Sequence, residues 1–301
     1  MRKFSNTKIS TMKKRCDLIT AECIEDKKKF GITLQEPDIT AILVKELTIR
    51  LNKYFNRRKC NCKFGGCFVH QSPRVHFVDS KGKKGSCEAG DLLVLCRKIV
   101  DGVEQFNATL FQLKMLPIHG INKRQLELYQ KWPLFEIKSF AKYNIYPKAI
   151  TPGGQYLFVS IDSPNRHALY SAIPSKKEDL SLYNTWGEFL LDFIRWQTGR
   201  PISPESSAVK DDWSRFIWDL IGNSRIKVFN RTPAGYTKVP RTNGDFFCMM
   251  TMRDNDQILF EDNYGGNNYI TTMNNNEQDD FGAISILFID IDEDESERIN
   301  I

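Results

Sequence analysis

Apolar and polar positions divide the chain into segments of recognisable period. Residues 1 to about 30 are polar and lysine-rich with scattered apolar positions, which reads as a helix or a loosely ordered arm. In QEPDITAILVKELTIRLNKYF, Ile39, Leu43, Leu47, Leu51 and Tyr54 form a stripe at helical spacing. Pro37 suits the first turn of that helix, where its missing N–H costs nothing. The Cys/Gly-rich RRKCNCKFGGCFVH reads as a loop, PRVHFVDS alternates like a strand, and KGKKGSCEAG reads as a further loop. From residue 90 to 115 two apolar runs flank Asp101-Gly102, the pattern of a β-hairpin. LPIHGIN is a connector, NKRQLELYQKWPLF a short helix closed by Pro133, and GQYLFVSID a strand.

The second half continues with helices around LYNTWGEFLLDFIRWQTG and DDWSRFIWDLIG, whose aromatic residues recur at helical spacing and read as core. DFFCMMTM and ISILFIDI read as strands, and the Asn/Gly-rich NYGGNNYITTMNNNEQDD as a flexible loop. There is no internal repeat. A soft boundary lies at PKAITPGG, residues 147–154, although one extended α/β domain fits the pattern as well.

Composition narrows the class. The 301 residues are 41% apolar and 27% charged, enough apolar surface for a sizeable core. No stretch approaches the ~20 apolar residues that cross a bilayer, and the start has no apolar segment of a secretory signal. Eight cysteines are too sparse for a disulfide scaffold, so reduced thiols and a cytoplasmic location are expected. The net charge of +6 is uneven: residues 1–60 carry fifteen Lys/Arg against seven Asp/Glu, while the tail ends in IDIDEDESE. The basic front suits a polyanion such as nucleic acid. The acidic tail reads as a solubilising end, an electrostatic lid or a partner site, the first being the plainest.

The candidate chemistry lies on the hairpin and its flanks. Glu88 and Asp91 stand at the start of its first strand. Gln112 and Lys114 stand two apart on the second strand and so share a face, while Leu113 points to the other. Gln125 and Tyr129 are four apart on the following helix, and Glu46 edges the stripe of the first. Each has a plain alternative. Lys114 could end an edge strand, Asp91 could be a turn acid, Gln125 a surface residue and Tyr129 a core anchor.

Taken in order, these residues resemble the PD-(D/E)xK nuclease superfamily over about residues 37–165. Asp91 matches its first acid, and Gln112-Leu113-Lys114 looks like the QxK variant of Mrr-like restriction enzymes. Gln125 to Tyr129 is similar to the QxxxY motif of the RecB-like branch, and Glu46 matches the acid often found on the first helix. The resemblance implies a restriction-endonuclease-like α/β core, a mixed sheet flanked by helices, spanning residues 37–165. A basic arm or helix (1–36) would precede it and an α/β extension with an acidic tail (166–301) would follow.

It also implies Mg²⁺ or Mn²⁺ held by Asp91, Gln112 and Glu46. Lys114 would act on the attacking water or the transition-state oxygens, and Gln125 and Tyr129 would contact phosphate or the catalytic groups. Glu88 could restore the charge lost at Gln112, and Lys123 and Arg124 could meet a backbone phosphate. The expected activity is metal-dependent hydrolysis of DNA, in prokaryotic restriction or anti-phage defence. A separate sensor, ATPase or helicase partner, or a homo-oligomer, is compatible with it. The alternative is an inactive nuclease-fold module that binds nucleic acid or scaffolds a complex.

A second candidate is structural zinc on Cys60, Cys62, Cys67 and His70, three thiols and an imidazole in one short stretch. Its plain counterpart is a Gly-bearing loop with packed cysteines. Cys87 and Cys96 could join it, and Cys16, Cys23 and Cys248 have no evident partners. A zinc-stabilised interaction protein with no nuclease ancestry would leave Asp91 and Lys114 far apart. His76, His119 and His167 are isolated and read as structural or surface residues. The absence of a P-loop, a GxGxxG after a strand and an HExxH excludes the common nucleotide motors, dinucleotide enzymes and zincins.

Overall fold

A computed structural model describes residues 6–29, 33–60, 62–68, 73–116, 121–137, 141–160, 169–174, 184–224, 247–249 and 284–291. The lysine-rich front is a helix, α1 (Asn6–Lys28), and it buries Met12, Cys16, Ile19 and Ile24. The long stripe that follows is divided in two, α2 (Glu36–Val44) and α3 (Glu46–Arg57). Asp38 caps α2 by accepting the Gln35 N–H at 2.9 Å, and Pro37 sits in its first turn. The break falls at Lys45, whose φ of −108° and ψ of −73° depart from regular helix values. Ile39, Leu43, Leu47 and Leu51 stay fully buried across it.

Two stretches read as loops are strands. Cys62–Phe68 is β1, and its Gly66 is a contact residue: a Cβ there would lie 2.6 Å from the Val44 carbonyl oxygen of α2. The glycine that suggests a loop is what lets strand and helix touch. Likewise β2 (Arg74–Val78) pairs antiparallel with β3 (Lys84–Glu88), which lies inside the second expected loop.

The hairpin of β4 (Leu92–Val100) and β5 (Val103–Met115) is as expected. Asp101 and Gly102 have φ of 52° and 73°, the left-handed pair that a two-residue hairpin turn requires. Then follow α4 (Lys123–Lys131), β6 (Phe135–Glu136), β7 (Lys142–Tyr143), β8 (Gly154–Val159), β9 (Leu169–Ala172) and β10 (Asn184–Thr185). The remaining elements are α5 (Trp186–Ile194), β11 (Arg200–Ile202), α6 (Asp212–Ser224), β12 (Phe247–Met249) and β13 (Ser285–Ile291). The Asn/Gly-rich stretch and the acidic tail beyond Ile291 lie outside the described residues.

Among the described residues, nine strands form a central mixed sheet with the path β10-β9-β8-β5-β4-β13-β1-β12. β5 shares its outer edge between β11, antiparallel at Phe106–Ala108, and β8, parallel at Leu110–Met115. β13 runs parallel to β4 and antiparallel to β1, so strands from both sides of residue 165 share one sheet. A smaller sheet has the order β3-β2-β6-β7. The helices α1, α2, α3 and α5 supply one apolar layer against the central sheet, built on residues such as Leu47, Phe111, Leu113 and Phe189. The other layer joins Leu93, Leu95 and Leu110 to α4, α6 and the inner face of the small sheet. The molecule is thus an α/β fold with a mixed sheet covered on both faces. Among the described residues no helix is long and apolar enough to cross a membrane.

Candidate active site

The site gathers where β4 begins and β5 ends. Gly90 precedes Asp91, and a Cβ on it would come within 2.7 Å of Leu110 and 3.1 Å of the Tyr129 hydroxyl. The Asp91 N–H donates to the Phe111 carbonyl at 2.7 Å, and Leu113 N–H donates to Asp91 Oδ2 at 2.7 Å. Leu92 is registered with Phe111, so these two bonds set Asp91 opposite Gln112, one step beyond the ladder.

Gln112 is fully buried. Its Nε2 donates to the Glu88 carbonyl at 3.1 Å, while its Oε1 is buried with no hydrogen-bond partner. A buried acceptor left unpaired costs about 1–3 kcal/mol, so this oxygen is a place where a ligand would be stabilising. Lys114 projects beyond it, mostly buried, with Nζ 3.5 Å from Glu36 Oε1.

Helix α4 closes the site. Its cap is Asn122, whose side-chain oxygen accepts from Arg124 N and Gln125 N. Gln125 Nε2 donates to Glu88 Oε2 at 3.3 Å, and the Tyr129 hydroxyl donates to the Ala89 carbonyl at 2.7 Å. Both side chains therefore brace the two residues that lead into Asp91.

Electrostatics mark Asp91 out. Burial pushes its carboxyl pKa up to about 7; the Lys114 ammonium opposes this, Glu88 adds to it, the Leu113 amide opposes it and Glu36 adds to it. Burial also drives the Tyr129 phenol well above its usual range, with Asp91 the next cause. Glu36, Glu88, Asp91, Gln112, Lys114, Gln125 and Tyr129 thus form one interacting group.

Glu46 is not in that group. It opens α3, ten residues after Glu36 or about 15 Å along helical rise, and pairs with Lys27 at 3.4 Å. The acid that reaches Lys114 from the first helices is Glu36, which no pattern in the sequence singles out beyond its place before Pro37. Lys123 is exposed at the start of α4. Arg124 turns away from the site to Asp79 at 3.3 Å and to the Lys83 and Lys84 carbonyls.

Would these residues suit a divalent cation? Asp91 and the orphaned Gln112 oxygen are hard oxygen donors, the kind that Mg²⁺ takes. Among the described residues no three His, Cys, Asp or Glu side chains already stand close enough to cage an ion by themselves. A cation here would rely on the amide oxygen and on water for the rest of its shell.

The cysteine stretch is partly outside the description: His70 and the side chain of Cys67 are not described. Cys60 and Cys62 are buried and unlinked, and burial drives the Cys62 thiol well above its ordinary value. Cys87 and Cys96 are buried too. Only the backbone of Cys248 is described, on β12 beside Cys67. His76 lies on β2 at a shallow groove, and His119 and His167 are not described.

Neither protein-family models, nor curated proteins, nor solved structures yield a match to this chain.

Proposed function

We propose that this protein is a metal-dependent nuclease that hydrolyses phosphodiester bonds of DNA, built on a core like that of the PD-(D/E)xK superfamily. One observation carries the reading: a largely buried carboxylate, a buried amide oxygen lacking a partner and a lysine come together at the ends of adjacent strands. What supports the reading is the combination: the unpaired oxygen lies on the strand position opposite an acid of raised pKa, and perturbed acids cluster at functional sites.

Asp91 and the Gln112 oxygen, assisted by Glu88 or Glu36, would hold a divalent cation, which supplies charge relief on the scissile phosphate and eases ionisation of the attacking water. Lys114 orients that water or steadies the charge that grows on the phosphoryl oxygens. Glu36 sets the position of the ammonium. Gln125 fixes the Glu88 carboxylate, and Tyr129 holds the Ala89 carbonyl, so the turn into Asp91 keeps its shape. The lone amide in place of a second carboxylate lowers the site's negative charge, and weak cation binding follows.

The test is cleavage of plasmid, linear duplex, single-stranded DNA and RNA with Mg²⁺ or Mn²⁺, comparing wild type with Asp91→Ala and Lys114→Ala. Both variants should lose cleavage while circular dichroism stays unchanged. Binding of DNA with no cleavage of any of the four substrates would turn the reading to an inactive binding module.

A further inference from the structure

The stretch Asp79 to Gly85, the β2–β3 connection with the first two residues of β3, carries Lys81, Lys83 and Lys84, all exposed. A solvated lysine turn needs no support, yet this one is tied down from two directions. Within the turn, Asp79 Oδ1 accepts the Lys81 and Lys83 amides at 3.0 and 2.8 Å, and Gly82 takes a φ of 76° that suits glycine. From α4, Glu127 Oε1 accepts the Ser80 N–H at 2.7 Å. Arg124 reaches the Lys83 and Lys84 carbonyls and lies so close over Gly85 that a Cβ there would be 2.5 Å from its guanidinium carbon.

The pairing has an electrostatic result. Arg124 compensates Asp79 at 3.3 Å, and Lys131 stands 3.5 Å from Glu127. The anchoring acids are thereby neutralised. None of the three turn lysines is held in an ion pair with a described residue, so a triple positive charge is presented to solvent on a fixed backbone. The same helix alternates its duties: Arg124 and Glu127 hold the turn, while Gln125 and Tyr129 brace the approach to Asp91.

We propose that this turn is a phosphate-gripping arm for duplex DNA, held by α4 at a set distance from Asp91 and Lys114. The inference rests on the nuclease reading for what lies at the other end of that distance. From Lys84 to Glu88 β3 rises about 13 Å, which matches about four base pairs of duplex at 3.4 Å each. A rigid set of charges gains most from a ligand whose phosphates are also rigid, because neither side then loses freedom on binding. Residues 79–85 include no aromatic side chain on which a base of a single strand could stack.

The experiment measures binding of a fluorescein-labelled mixed-sequence duplex by anisotropy across a salt series, in the uncut Asp91→Asn background. Adding Lys81→Gln, Lys83→Gln and Lys84→Gln together should weaken binding about tenfold and make the slope of log affinity against log salt shallower by about 2 to 3, since each phosphate contact contributes about 0.9. Arg124→Met keeps all three lysines but frees the turn. It should weaken duplex binding several-fold and leave binding of a labelled single strand unchanged. Melting curves check that every variant is folded.

An unchanged slope in the triple variant overturns the arm, and so does an equal loss for single strand and duplex. Cleavage by wild type with an unchanged slope removes the arm and leaves the nuclease. Lysine-dependent duplex binding by a wild type that cuts nothing removes the nuclease and leaves the arm.

Discussion

Lys114 Nζ stands 3.5 Å from Glu36 Oε1, although 78 residues separate them in the chain. The start of α2 and the end of β5 are thereby joined across the site. Glu36→Gln should therefore reduce cleavage by about 10- to 100-fold, the usual effect of removing a group that orients a catalytic one. Glu46→Gln breaks only the partly exposed pair with Lys27 and should leave cleavage within about twofold and stability within about 1 kcal/mol. Equal losses from the two substitutions would show that the position of Glu36 is irrelevant.

Asp91 makes stability depend on pH in a defined direction. Its folded pKa is pushed up to about 7 from an ordinary 3.8, so the native state holds this proton more tightly than the unfolded chain. The contribution is full below about pH 4 and is lost as pH rises towards 7. Because the residue keeps some solvent exposure, the loss should be on the order of 2 kcal/mol. Urea midpoints without divalent cations should show the decline in wild type and not in Asp91→Asn. Added Mg²⁺ should oppose it by favouring the ionised form.

Helix α1 is tied to α5 by the Lys13–Asp192 ion pair at 2.9 Å and by the Asp17 carboxylate. Asp17 accepts from the Thr185 hydroxyl at 2.8 Å and from Gly187 N–H at 2.7 Å. A Cβ on Gly187 would overlap the Lys13 carbonyl oxygen, so Gly187→Ala must push the helices apart. It should cost about 3 kcal/mol in chemical denaturation, as overpacking does. A neutral result would mean that the two helices can separate freely.

Arg97 and Asp290 form a buried two-point pair between β4 and β13, at 3.0 and 3.2 Å, with Glu104 on the remaining guanidinium nitrogen. Asp290→Ala removes the buried carboxylate that faces this cation and keeps the half-exposed Glu104 beside it. A loss of about 3–5 kcal/mol in urea unfolding is expected. Arg97→Met together with Asp290→Leu should recover much of it, because the uncompensated charge is then gone.

What the sequence disclosed follows the range of the forces involved. Local signals served well: the Asp101-Gly102 turn, and the period-two spacing that aligned Gln112 with Lys114. The continuous stripe from Ile39 to Leu51 concealed the break at Lys45, because buried positions keep helical spacing on both sides of it. That continuity drew attention to Glu46 and away from Glu36. Gly66 and Gly85 looked like loop residues because sequence shows small size but not the neighbour that demands it, here Val44 and Arg124. The insertion of β13 beside β4 pairs residues 193 apart, and no periodicity within either strand announces it.

That insertion sets the order of assembly against the order of synthesis. The β4–β5 hairpin that bears Asp91 and Lys114 emerges from the ribosome early, yet one flank of β4 gains its neighbour only after residue 291 has been made. Until then a long apolar edge stands open to stray strands. A nascent chain would have to shield it, and the proposed site would stay incompletely supported while translation is under way.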